Sequence, residues 1–237
     1  MRRRLALLSG LLALLAALSA GAAAPEAEAR PGYIADRECA ACHPRQAAAW
    51  AGSKHDRAMQ PASPASVLGD FDNARFSAPQ QDTRFFRRGA RHFVHTDGPD
   101  GRPADFPVTH SFGVHPLQQY LLPLPGGRLQ ALGVAWDTLK KRWFSLYADG
   151  AFPPGSPLHW SGRYQNWNLM CGECHTTAFR KGYDAPNDRY STRWVAPNVG
   201  CQACHGPGRE HTESARRGQP VPTTKAAPAS APGQVDQ

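Results

Sequence analysis

The sequence has no cysteine to spare. All six lie in three Cys-x-x-Cys-His pentapeptides, at Cys39–His43, Cys171–His175 and Cys201–His205. No thiol remains for a disulfide, a separate zinc site or a catalytic nucleophile. The first cysteine after the apolar N-terminal run is Cys39, inside a pentapeptide, so the run is not followed by a lipoprotein cysteine. A Gly-rich nucleotide loop is also missing, so phosphate-cradling enzyme classes lack their machinery here.

What is present is the same pentapeptide three times: CAACH, CGECH and CQACH, the last two separated by 25 residues. Cys-x-x-Cys-His is the attachment signature of c-type haem. Cys39 and Cys42, Cys171 and Cys174, and Cys201 and Cys204 would add across the haem vinyl groups. His43, His175 and His205 would then sit below the irons as proximal ligands. Zinc is the competing reading, because two CxxC pairs can supply four thiolates. Zinc, however, needs no histidine after each second cysteine, and all three pairs have one. Three covalently attached haems c are therefore expected.

Arg2, Arg3 and Arg4 precede an apolar run from Leu5 to about Ala24. This is a basic n-region and an h-region followed by small residues, so residues 1–24 are expected to be a cleaved signal peptide. About 20 apolar residues can just span a bilayer, so an uncleaved leader is the one route to membrane contact. The mature chain is expected to be periplasmic or otherwise exported. Losing the leader arginines lowers the formal charge from +8 to about +5. Each ferric haem with two ionised propionates adds about −1, which brings the holoprotein near neutrality. The basic sequence pI of 9.5 thus gives no support for a nucleic-acid partner. Arginines pairing with propionates account for it.

The patterning predicts an α+β, loop-rich fold with short helices at the motifs and a small antiparallel β meander inserted between them. A haem domain spans 33–217, with the β insert at 83–147 and a disordered tail at 218–237. Pro44 suits the first turn of a helix running to Trp50, and Gly52 suits its stop. Residues 60–81, rich in Pro, Ser, Ala and Gln, read as loop. Turn signals at Gly89, at Asp97–Gly101 and at Gly126-Gly127 divide the following segment into hairpins. The meander is expected to cover a haem face and carry no chemistry. Trp160, Tyr164 and Trp167, just before Cys171, are expected to pack on porphyrin. With few long helices, the macrocycles would replace a conventional core, and the apoprotein would be largely unfolded.

A six-coordinate haem needs a second ligand. His55, His159 and His211 rank first, because each lies on a turn beside a motif or beside the aromatic segment preceding one. His55 lies just past a helix stop, where it cannot fold back over its own motif but can reach another haem. His110 and His115 rank next. His92 and His95 read as exposed polar residues. Met59 and Met170 read as packing residues, although methionine at that position would raise the potential.

The blocks ECAACHPRQAAAWAGSKHDRAM, FGVHPLQQYL, GGRLQALGVAWD, LHWSGRYQNWNLMCGECHTT and GCQACHGPGREH resemble the multihaem cytochromes related to the tetrahaem cytochrome c-554 type. More closely, they resemble the N-terminal haem domain of large members, cytochrome c-552/c-554-like, that continue into further haem motifs and tetratricopeptide repeats. The likeness runs from about Tyr33 to His211. It implies periplasmic electron transfer through closely packed, mainly bis-histidine haems. It implies that His55 and His211 cap haems and that His159 belongs to the pre-haem block. The sequence departs from that pattern by stopping soon after the third motif, so further haem-bearing or repeat-containing subunits are candidate partners. The function expected is an electron carrier between redox partner proteins. The alternative is a multihaem oxidoreductase acting on a small nitrogen or sulfur compound at a haem with an open face.

Overall fold

A computed structural model describes residues 30–79, 81–147 and 152–222. The expected leader, and the tail from residue 223, lie outside the described residues.

The chain opens with two short helices, α1 (Asp36–Cys42) and α2 (Pro44–Trp50). His43 stands between them with φ −120° and ψ 55°, closing one helix and preceding the other. Pro44 is the cause. A residue before proline is driven out of the helical region, while proline itself suits the first helical position.

Strands follow. β1 (Met59–Pro61) joins β6 (His110–Phe112), β7 (Leu117–Leu124), β9 (Val134–Asp137) and β10 (Arg142–Ser145) in one antiparallel sheet, and β8 (Arg128–Ala131) pairs with β7. β2 (Ala74–Ala78), β3 (Gln81–Arg88), β4 (Arg91–Asp97) and β5 (Pro103–Pro107) form a second sheet in sequence order. The β3–β4 hairpin turns at Gly89, where φ is +60°. The β7–β8 hairpin turns at Gly126-Gly127, and there a Cβ on Gly127 would overlap the carbonyl of Tyr190. Glycine is the one residue that allows that approach. The fold class is α+β and loop-rich, as the patterning predicts. The strands nevertheless begin earlier than predicted, because β1 and β2 fall within the stretch read as loop.

A core of ordinary kind lies among these strands. Phe71, Phe85, Tyr120, Leu122, Trp136 and Trp143 are all buried in one cluster. Phe85 and Trp143 stack with centroids 3.5 Å apart and planes 5° apart. No cysteine of the three motifs belongs to this cluster. The expectation that macrocycles replace a hydrophobic centre therefore does not hold for the β region. His92 corrects a second expectation. It is 5% exposed, edge-on to Phe71 at 4.9 Å, and burial lowers its pKa. Phe93 and Val94 beside it are buried as well, so this stretch of β4 is covered on both faces. His95, three residues on, is partly exposed and meets Asp105 at 2.7 Å, as suits a polar surface histidine.

The remaining helices are short and sit at or beside the motifs: α3 (Trp167–Met170), α4 (Gly172–His175), α5 (Cys201–His205) and α6 (Arg209–Arg216). A ribbon, β11 (Tyr183–Asp184) and β12 (Arg189–Tyr190), separates α4 from α5.

Candidate haem sites

The first and third pentapeptides meet although the β region lies between them in the chain. Both line one cavity of about 630 Å³, together with Trp50, His55 and His211. That volume is in the range of about 300–1,000 Å³ usual for cofactor pockets. The stitching is specific. Gln202 of α5 accepts from the Ile34 N–H at 3.0 Å and donates back to the Ile34 carbonyl. Its Oε1 also accepts from Gly208 N–H at 3.1 Å. Cys201 N–H donates to Asp36 Oδ1 at 3.2 Å, and a Cβ on Gly200 would overlap that carboxylate. Arg216 of α6 reaches Glu38 of α1 at 3.2 Å.

Four histidines face this cavity: His43, His55, His205 and His211. The rings of His43 and His211 stand with centroids 6.2 Å apart and planes inclined at 35°. Two imidazoles on one metal, with bonds of about 2.0 Å and each nitrogen about 1.1 Å from its ring centre, would have centroids roughly 6 Å apart. His211 Nδ1 lies 3.3 Å from the Pro222 carbonyl, so its Nε2 is the nitrogen left for a ligand bond. His55 is tied to the other motif. Its carbonyl accepts from Val199 N–H at 3.1 Å, and Trp50 Nε1–H donates to the Val199 carbonyl at 2.9 Å. The turn carrying His55 is thus pinned to the residues that open α5.

A carboxylate oxygen of Asp36 and the sulfurs of Cys39 and Cys201 lie within 4.8 Å of one another. Burial raises the thiol of Cys39, and burial with the Asp36 charge pushes Cys201 up to about 11. Burial also raises the Asp36 carboxyl, and the Cys201 N–H bond opposes that rise. These thiols stay protonated at neutral pH. As the first cysteines of their motifs, Cys39 and Cys201 would carry thioether bonds, which leaves Asp36 without companions for a three-ligand metal site.

The second pentapeptide sits apart. Asn166 accepts from Leu169 N–H at 2.9 Å and so caps α3. Trp167 anchors it in a second cluster with Met59, Phe112 and Leu121. Gly172 lies against the Phe179 ring, where a Cβ would overlap. His175 Nδ1 is 3.0 Å from the Ala58 carbonyl, and Phe112 stands edge-on to its ring at 5.4 Å. A ligating histidine characteristically donates its other ring nitrogen to such a carbonyl. The residues therefore fit haem c, with His175 Nε2 left to the iron.

The structure does not bring His159 to a motif. It is 4% exposed, with Nε2 on Asp97 at 2.8 Å and Nδ1 on Ser161 at 2.7 Å. Burial works against the Asp97 carboxylate, yet the hydrogen bond and charge of His159 hold its pKa below the usual value. Trp160 Nε1–H donates to the Asp97 carbonyl at 2.7 Å, so the pre-motif block is tied to the β region. Trp160 accordingly joins the protein core, and Tyr164 is 51% exposed. His110 is half-buried, edge-on to Trp194 at 5.8 Å, and loss of solvation lowers its pKa to about 4. His115 is exposed. Met59 is a core residue, as read from the sequence, while Met170 is 52% exposed and packs little. Sequence reasoning missed Asp36 and Gln202. Their partners lie far along the chain, and no local spacing signals them.

The three motifs, each at a short helix, are the pattern of multihaem c-type cytochromes, and the comparisons point to the same class. More particularly, the family model described as cytochrome c554 and c-prime matches residues 38–80 and 159–206. Those blocks contain all three motifs and leave out most of the β region. Among solved structures, the outer cell wall cytochrome OcwA is 18% identical with a TM-score of 0.52. The alignment covers 83% of this chain and 36% of that one, so the chain spans about a third of its length. The undecahaem cytochrome from the S-layer of Carboxydothermus ferrireducens is 17% identical over 76% of this chain and 21% of that chain, with a TM-score of 0.44. No curated protein matches the sequence.

Proposed function

We propose that the chain is an exported electron carrier that holds three haems c and passes electrons between redox partner proteins. Cys39, Cys42 and His43 hold the first haem, Cys171, Cys174 and His175 the second, and Cys201, Cys204 and His205 the third. His211 caps the first iron and His55 the third. Haem iron supplies a one-electron ferric–ferrous couple, and the chain sets its ligands, spacing and solvent exposure. The observation that carries this reading is the shared cavity. Two motifs line it, and His43 and His211 stand at the separation that one metal between them requires.

His159 is better read as a strut than as a ligand, since both its ring nitrogens are engaged. That supports the second reading, an oxidoreductase acting on a small nitrogen or sulfur compound, with the second haem as the open one. Electron paramagnetic resonance of the oxidised protein, matured with haem-attachment machinery, separates the two. Three low-spin ferric haems support the carrier. One stoichiometric high-spin haem that binds cyanide or nitric oxide supports the enzyme. A mass with no added haem overturns both.

A further inference from the structure

Asp36 occupies a position that neither haem attachment nor axial ligation explains. It opens α1, the helix of the first motif. Its carboxylate nevertheless accepts the backbone N–H of Cys201, the first residue of the third motif. It also fills the space above Gly200, where any side chain would collide with it. One carboxylate thus lies against the start of both attachment helices, within 4.8 Å of the first sulfur of each. Gln202 and Ile34 form a second tie between the same segments, but that tie carries no charge. The other carboxylates nearby are Asp56 and Glu38. Glu38 is paired with Arg216, and Asp56 accepts from Gly52 N–H at 2.8 Å.

We infer that Asp36 is a positioning residue for the first and third haems: it locks their attachment helices in register, and its negative charge sets the reduction potential of that pair. The inference rests on the haem assignments proposed above. Two roles follow, and two substitutions separate them. Asp36→Asn keeps an oxygen to accept the Cys201 N–H but removes the charge. Asp36→Ala removes both. A negative charge beside a haem opposes the arrival of an electron, so its removal favours the reduced form.

The test is a spectroelectrochemical titration of the holoprotein at pH 8, with mass spectrometry to count haems. In Asp36→Asn, two of the three midpoints should rise together, by on the order of tenfold in the reduction equilibrium constant. For a one-electron couple that is about 59 mV. The midpoint of the second haem should not move. In Asp36→Ala, the same two midpoints should rise, and the splitting between them should shrink as the helices lose register. Should Asp36→Ala fail to mature, Asp36→Asn decides alone. Unchanged midpoints in Asp36→Asn overturn the inference, and so does an equal shift of all three haems. Failure of the haem assignment itself looks different, because the wild-type mass would then lack the added haems.

Discussion

His175 turns its Nδ1 to the carbonyl oxygen of Ala58 at 3.0 Å, and Gly113 N–H shares that same acceptor at 2.9 Å. The residues just before β1 and just after β6 therefore fix the ring proposed to hold the second iron. Through Gly113 and the Phe112 ring the meander, expected to serve only as cover, also bears on that histidine.

Replacing the distal histidines should change spin state one haem at a time. His211→Ala should convert one ferric haem to high spin while the mass still shows three. His55→Ala should do the same to a different haem, and the double variant to two. An unchanged paramagnetic spectrum in either single variant would rule out that ligand.

The pair of His159 and Asp97 should matter for stability and not for spectra. His159→Ala leaves a half-buried carboxylate without its partner, a loss of about 1–3 kcal/mol. The visible and paramagnetic spectra should stay as in the wild type. Asp97 is depressed below its unfolded value of 3.8, so its contribution is complete above that pH. It is lost as pH falls from 3.8 through the lower folded value. In Asp97→Asn that part of the acid slope should disappear from urea unfolding curves.

His110 should give stability a pH dependence of its own. Its folded pKa is about 4, against 6.5 when free, because burial disfavours the charged ring. Between those values the unfolded chain binds the extra proton, so stability is full above pH 6.5 and falls as the medium is acidified. The fall from pH 7 to pH 4 attributable to this residue is about 3 kcal/mol. His110→Gln should flatten that span of the curve. An identical slope in wild type and variant would show that the ring is protonated in the fold.

The β region should fold without haem. Its main cluster contains Phe85 and Trp143 and none of the motif cysteines. A chain with all six cysteines changed to alanine should keep near-ultraviolet circular dichroism and a blue-shifted tryptophan emission. Phe85→Ala in that background should cost about 3–5 kcal/mol. A featureless near-ultraviolet spectrum in the cysteine-free chain would restore the view that the macrocycles are the core.

Local signals carried well from sequence to structure. The pentapeptides, Pro44 at a helix start, and the turns at Gly89 and Gly126-Gly127 depend on neighbouring residues only, and each lies where the spacing predicts. The misreadings share a cause. Whether His92 is covered depends on Phe71, which packs on its ring from twenty-one residues upstream. Whether His159 is free depends on Asp97, at the end of β4. The contact of Asp36 with Cys201 joins the two ends of the haem domain. Such facts are decided by topology, and a single sequence holds no local mark of them.

The pocket shared by the first and third motifs draws on both ends of the domain, and this dictates an order of assembly. A chain emerging N-terminus first presents His43 while α6, which bears His211, is still unmade. On the proposed assignment, a chain ending after the ribbon β11–β12 would keep His43 but lack His211, so its first haem would be held with one axial face open.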